Sequence, residues 1–300
     1  MSLVSSRQAA SLLNVHESSI KRWCNSEELA CSYTAGGHRR LDLDDILGFA
    51  RQQHLECILL PFENEAVLVW NGANEMKAGR NIDVLVVKMR EWLLHAESRK
   101  LMALLHLCGT LDIPYARVFD SLIGKVMADI GDAWARGAFE IGDEHRISEC
   151  LMDVLYGIIA TLSSRNGMSS RKMAIVGCGP NEDHATGALM VRILLLARGW
   201  NVVYLGRNVP VEDLVLYQRR HRADLIAVSM SSHREPPEIR QFIKNVTSLQ
   251  RDDLPFDLAI GGSGAASLSE TQPWPLATSS VKTFVSAEDF DDWLEVRYAK

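Results

Sequence analysis

The segment Glu182-Asp183-His184-Ala185-Thr186-Gly187 places one imidazole two residues after a carboxylate and three before a glycine. An imidazole is a nitrogen donor well suited to transition metals, and a glycine lets backbone approach closely whatever a site holds. A histidine alone in a loop says little, because a surface loop accepts one for no chemical reason. Other chemistry-bearing groups stand elsewhere in the chain: Ser229-Met230-Ser231, the pair Gly261-Gly262, Trp134 with Glu144-His145, and a small basic cluster near the N-terminus. Their meaning depends on the elements that carry them.

The 300 residues are 47% hydrophobic and 23% charged, a globular composition long enough for more than one core. The start, Met1-Ser2-Leu3-Val4-Ser5-Ser6-Arg7, lacks the pattern of a signal peptide and no run of about 18 apolar residues occurs, so no membrane is expected and the protein is expected to be cytoplasmic. Six scattered cysteines without a CxxC pair read as reduced structural thiols. After residue 172 the pattern alternates. Met173–Gly177, Asn201–Leu205, Asp224–Met230, Phe256–Ile260 and Val281–Val285 read as strands, with helices 185–198, 211–221, 235–249 and 287–298 between and after them. That is a doubly wound, Rossmann-like (flavodoxin-like) parallel sheet, whose ligands sit beyond the carboxyl ends of the strands. His184 lies in the first such loop, and Ser229-Met230-Ser231 and Gly261-Gly262 end the third and fourth strands.

Upstream, helical spacing in 83–95, 97–108, 114–134 and 143–163 predicts a four-helix bundle over 82–168. Residues 54–81 read as a connector. In 1–53, two short helices (7–13 and 17–24) are followed by Gly36-Gly37-His38-Arg39-Arg40, a tight turn with cations at once after it, and by an acidic helix start at Asp42. The net charge of -6 gives no general affinity for nucleic acid, but residues 1–41 carry five basic against three acidic side chains. The expected class is therefore multidomain, α and α/β, with the sheet domain over 169–300.

Three resemblances attach to these residues. Glu182-x-His184-x-x-Gly187 between a strand and a helix, with Ser229, Ser231, Gly261 and Gly262 at matching strand ends, resembles the signature of cobalamin-binding domains over about 172–298. It implies that His184 replaces the cofactor's own base as the lower ligand of cobalt (base-off binding), that Glu182 tunes its basicity, that Asp183 belongs to the same loop, and that Gly187 with the serine and glycine loops borders the displaced nucleotide tail. The run from Trp134 to Glu144-His145 resembles the cap of CarH-type light-responsive cobalamin regulators, also grouped with LitR. It implies that Trp134 covers the upper face of adenosylcobalamin and that Glu144 and His145 reach its adenosyl side. Ala135 departs from that pattern, since those proteins carry there the histidine that captures cobalt after photolysis. Finally, Val15 to Trp23 with Gly36 to Leu41 resembles the winged helix-turn-helix of the MerR family. Ser18, Ser19, Lys21 and Arg22 would then face the major groove, and His38, Arg39 and Arg40 the phosphates.

Together these imply a non-enzymatic, light-responsive repressor in which cofactor binding sets the state of a homo-oligomer, dimer or tetramer, and so its grip on double-stranded operator DNA. Two alternatives stay open: a corrinoid methyl carrier of a methyltransferase system, and a sensor of cobalamin form or redox state without photochemistry.

Overall fold

The computed structural model describes residues 2–138, 140–165, 172–231, 235–265, 268 and 280–299. It divides into two compact units, Met1–Ile147 and Ser148–Lys300. The polar stretch 169–171, expected to open the sheet domain, lies outside the described residues.

The first unit opens with a strand that the sequence reading did not include, β1 (Leu3–Ser5), followed by α1 (Ser6–Leu12). Ser5 ends the strand and caps the helix: its hydroxyl accepts from the Gln8 backbone N–H while the Gln8 side chain accepts from the Ser5 N–H. Helix α2 (Glu17–Asn25) follows a short turn and is capped by the His16 ring. Strands β2 (Ser32–Tyr33) and β3 (Arg39–Asp42) form the wing, with β1 on the other edge of β3. Asp42 caps α3 (Leu43–Gln52), as its position before an acidic first turn predicts. Leu12, Ile20, Leu41 and Ile46 are fully buried beneath these elements.

Residues 54–81, expected as a connector, contain a 3-10 turn (Leu60–Glu65) and a 12-residue helix, α4 (Ala66–Lys77). Ala66, Val69, Trp70, Ala73 and Met76 are buried along one face of it. The β-prone run Val67-Leu68-Val69-Trp70 and the mid-helix Gly72 disguise this face in the sequence. Gly72 is there for packing: a Cβ on it would lie 2.7 Å from Leu85 Cγ. Leu85 belongs to α5 (Asp83–Leu94), which packs on α4, on α6 (Ser98–Thr110) and, later in the chain, on α8 (Lys125–Ala135). The expected helix 114–134 is interrupted. A short α7 (Tyr115–Val118) runs through a π-helical stretch (Phe119–Gly124) into α8. The helix-turn-helix and these helices form one unit, tied by the bond from the Ile58 N–H to the Leu12 carbonyl.

The last helix of the expected bundle, α9 (Ile141–Arg165), contains the division between the two compact units, at 147/148. Arg207, just beyond a strand of the second unit, reaches Met152 Sδ at 3.1 Å and Glu149 at 3.8 Å on the second half of α9. By length and composition α9 could cross a membrane, but half of its most apolar stretch is buried, as in a core helix.

The sheet of the second unit is entirely parallel. Strands β4 (Met173–Cys178), β5 (Asn201–Gly206), β6 (Leu225–Ser229), β7 (Asp257–Gly261) and β8 (Val281–Phe284) take the spatial order β5-β4-β6-β7-β8. Helices α10 (Thr186–Ala197), α11 (Val211–His221), α12 (Pro236–Ser248) and α13 (Ala287–Arg297) make the connections and the C-terminal cover. The chain leaves β4 toward one edge and returns to pair β6 on its other side, so the loop after β4 is the topological switch point. At the opposite, amino end of the sheet, buried Asp257 accepts from Arg297, the Tyr298 hydroxyl and Ser280, fixing the C-terminal helix.

Candidate cofactor-binding loop and nucleic-acid interface

The loop after β4 is held from both sides before it presents any side chain. The Val209 N–H donates to the Cys178 carbonyl at 3.1 Å and the Asn208 N–H to the Glu182 carbonyl at 3.0 Å, while the Asn208 side chain accepts from the Asn181 N–H at 2.6 Å. Asn181 and Asn208 both take positive φ, 56° and 50°, a region asparagine tolerates better than most residues. On this frame Glu182 turns inward to 2% exposure. Its Oε1 accepts from the His184 backbone N–H at 3.0 Å and lies 2.7 Å from His184 Nδ1, and its Oε2 accepts from the Ser231 N–H at 2.8 Å. Burial pushes the carboxyl pKa up, but the Ser231 and His184 donors outweigh it and hold the group down at about 2.

An ionised carboxylate only accepts, so Nδ1 carries the ring proton and the ring's lone-pair donor is Nε2. The His184 side chain is 60% exposed. Exposed ring and buried carboxylate together form an oriented nitrogen donor. Among the described residues no group of three or more His, Cys, Asp or Glu could hold a metal ion. His184 offers one nitrogen ligand, so a metal held through it alone would take its other ligands from a cofactor.

Behind the loop, Gly187 in the first turn of α10 faces Ser229 at the end of β6. A Cβ on Gly187 would lie 2.4 Å from Ser229 Oγ, so glycine here is what lets the Ser229 hydroxyl pack against the first turn of α10. Alternation along β6 sends Ser229 to the α10 side and Val228 and Met230 to the side covered by α11 and α12. Gly261 and Gly262 have different duties. The Gly261 carbonyl accepts from the Met230 N–H at 2.9 Å, whereas Gly262 (φ +99°) brings its Cα so close that a Cβ would lie 2.3 Å from the Met230 carbonyl oxygen. Gly264 makes the same approach to the Ser231 carbonyl, again 2.3 Å. The loop ends are thus pressed together beside Glu182, and Asp183 is exposed at the rim.

In the first unit, Trp134 near the end of α8 is 45% exposed, so it does not merely fill the helical core. Glu144 ends the first turn of α9 and His145 follows it, with His145 Nε2 3.7 Å from Glu144 Oε2, and Ile141 at the start of the helix is 65% exposed. In the helix-turn-helix, Ser18, Lys21 and Arg22 are exposed on α2, Ser19 is half-buried, Ile20 is fully buried and Trp23 packs on Phe49 at 5.0 Å. Lys21 pairs with Glu17 at 2.9 Å. The three wing residues are not equivalent. His38 is exposed, Arg40 half-buried, and Arg39 is turned toward its own domain, bonding Asn25 Oδ1 at 2.7 Å and lying 5.4 Å from the Tyr33 ring.

Residues 173–272 match the B12 binding domain family, and residues 3–54 match a helix-turn-helix domain family. The chain carries a B12 binding domain joined to a helix-turn-helix domain. It is similar to the HTH-type transcriptional repressor CarH of Myxococcus xanthus, at 26% identity over 179 residues that cover 60% of this chain and 56% of that one. It is also similar to the repressor CarA of the same organism, at 27% over 126 residues and 42% of each chain. The chain thus spans about half the length of these curated relatives. The monomethylamine corrinoid protein of Methanosarcina barkeri, at 15% identity, shares the fold over 72% of this chain and all of its own, with a TM-score of 0.53.

The residues of the B12 binding domain fit a corrinoid in the chemistry of the donor: an exposed imidazole oriented by a buried carboxylate, at the topological switch point where ligands of parallel sheets sit. Reasoning from sequence missed the Asn181–Asn208 clamp and Gly264. The Gly262-Ser263-Gly264 spacing could have signalled the second, whereas the first depends on a pairing across 27 positions.

Proposed function

We propose that this protein is a cytoplasmic, cobalamin-dependent transcriptional repressor, in which His184 is the lower ligand of a base-off cobalamin and the N-terminal domain holds operator DNA. The observation that carries the reading is the Glu182–His184 pair, an exposed imidazole oriented by a buried carboxylate, in a chain that also carries a winged helix-turn-helix. Similarity to repressors named CarH and CarA supports the same assignment.

The chain's own residues divide the work. Glu182 holds the ring proton on Nδ1 and orients the Nε2 donor. Gly187, Ser229, Ser231, Gly261 and Gly262 border the buried tail of the cofactor, with Asp183 at its rim. Trp134, Glu144 and His145 are assigned to the adenosyl side by their resemblance to the cap of light-responsive regulators. Adenosylcobalamin would supply a light-labile cobalt–carbon bond. Ala135 means that any response to light ends without a histidine at that position. Ser18, Ser19, Lys21, Arg22, His38 and Arg40 face DNA, and cofactor occupancy biases a homo-oligomer between assemblies of different DNA affinity.

The test is gel filtration and duplex binding of the full chain, without corrinoid, with adenosylcobalamin in the dark, and with adenosylcobalamin after illumination. Uptake of adenosylcobalamin with a change in DNA affinity supports a cofactor-controlled repressor, and reversal of that change by light supports the photoreceptor form. Equal affinity in all states contradicts control by cobalamin.

A further inference from the structure

Two of the six cysteines are brought together where the recognition helix meets the wing. Helix α2 ends at Asn25, one residue after Cys24, and the chain reverses at once: the Glu28 and Leu29 N–H groups both donate to the Trp23 carbonyl, at 3.0 and 3.1 Å, with Glu27 at φ +60°. Cys31 then leads into β2. Arg39 closes the reversal from the wing side, bonding Asn25 next to Cys24 and lying over Tyr33 two residues after Cys31. Cys24 is 7% exposed and Cys31 half-buried. Burial and a hydrogen bond with Cys31 hold the Cys24 thiol up at about 11, against the pull of the Arg39 guanidinium. The Arg39 Nε is buried without a hydrogen-bond partner among the described residues, so a cation sits beside the thiol pair with unused donor capacity.

The other four cysteines are buried, and burial pushes Cys57 up and Cys108 and Cys178 to about 12. Cys31 alone is open enough to meet a reagent, and its neighbour is a second thiol.

We propose that Cys24 and Cys31 are a reversible thiol–disulfide site, oxidised by small disulfides of the glutathione type, that fastens the end of α2 to the start of the wing. The Cys31 thiolate attacks one sulfur of oxidised glutathione and expels a glutathione thiolate, leaving a mixed disulfide. Cys24 gives up its proton to solvent, attacks the Cys31 sulfur and expels the second glutathione. Two protein thiols are oxidised, and one glutathione disulfide is reduced to two thiols. The bonded sulfurs must close to about 2.05 Å, which draws the end of α2 toward β2 and shifts Lys21 and Arg22 relative to Arg40. Weaker duplex binding by the oxidised protein follows. This consequence rests on the DNA-binding reading; the disulfide does not.

The experiment exposes the full chain to oxidised glutathione and reads intact mass, mapped peptides and binding to a random-sequence duplex at low salt. The expected result is loss of two hydrogens, a peptide linking Cys24 to Cys31, a severalfold fall in duplex affinity, and recovery of both by dithiothreitol. C24A should instead accumulate a stable glutathione adduct on Cys31, and C31A at its half-buried position should resist modification. Thermal midpoints check that both variants fold. A stable adduct on Cys31 in the unsubstituted protein, with Cys24 still alkylated by maleimide after denaturation, would overturn the site. A disulfide that leaves duplex affinity unchanged would overturn its control of DNA binding. Failure of the reduced protein to bind any duplex would count against the DNA-binding reading, while the mass data would still judge the disulfide.

Discussion

At the His184 loop, a carboxylate buried to 2% exposure takes three hydrogen bonds, and the imidazole it orients stands 60% exposed. At the wing, Arg39 is held by Asn25 and Tyr33, while exposed His38 at the turn and Arg22 on the recognition helix lie open to solvent. The first region spends structure on placing one atom. The second needs only positive charge at roughly the right height, because phosphates are met by counterion release more than by exact geometry. Substitutions should therefore fail differently in the two places: abruptly where a buried group orients a donor, gradually where charge is displayed.

The largest effect is expected from Gly262→Ala. A Cβ there lies 2.3 Å from the Met230 carbonyl oxygen at a φ of +99°, and the strain with the overpacking should cost about 3 kcal/mol or more. Urea unfolding measures it, and a cost under about 1 kcal/mol would show that the β6 and β7 loops are not pressed together as described.

Glu182→Ala comes next. It removes the acceptor of the part-buried Ser231 and His184 N–H groups and releases the ring, so it should cost about 1 kcal/mol of stability and about 10–100-fold in corrinoid affinity. The same carboxylate gives a pH signature. Its folded pKa of about 2 lies below the ordinary 4.5, so its stabilisation is complete above pH 4.5 and is lost as pH falls toward 2. The difference in urea midpoint between the unsubstituted protein and Glu182→Gln should shrink over that window, and a constant difference would deny that the carboxylate is ionised when folded.

At the wing, Arg40→Ala should leave the urea midpoint nearly unchanged and lower the slope of log affinity against log salt by about 1. Arg39→Ala should do the reverse, costing about 1–2 kcal/mol through its lost bonds to the domain with a smaller change in salt slope. Equal salt effects for the two arginines would erase the distinction between them. Smallest of all, Gly187→Ala should cost a fraction of the Gly262 change, because Ser229 Oγ can turn away from the new Cβ, and Ser229→Ala in the same chain should recover most of it.

The strand-helix alternation after residue 172 made the parallel sheet legible, and with it the place of His184 at a strand's carboxyl end. Alternating apolar runs in strands and capped helices are local signals. The helix α4 was not legible as such, because Gly72 and a β-prone run hide a face whose logic is a contact with Leu85. The division inside α9 was hidden as well, because the helix runs through it without a break. At the site, the spacing from Glu182 to Gly187 was readable, but the donors that keep Glu182 ionised include a backbone N–H 49 residues distant. Arg39 shows the limit for surface charge: its residue type suggests a phosphate contact, and only the fold reveals that it faces Asn25 and the ring of Tyr33.

The most direct test of the central claim is the electron paramagnetic resonance spectrum of the Co(II) cobalamin form bound to protein carrying 15N-labelled histidine. If His184 Nε2 is the lower ligand, the nitrogen superhyperfine pattern changes multiplicity on labelling and disappears in His184→Ala. A pattern indifferent to the label would mean that the cofactor keeps its own base on cobalt, and the role assigned to the Glu182–His184 pair would be wrong.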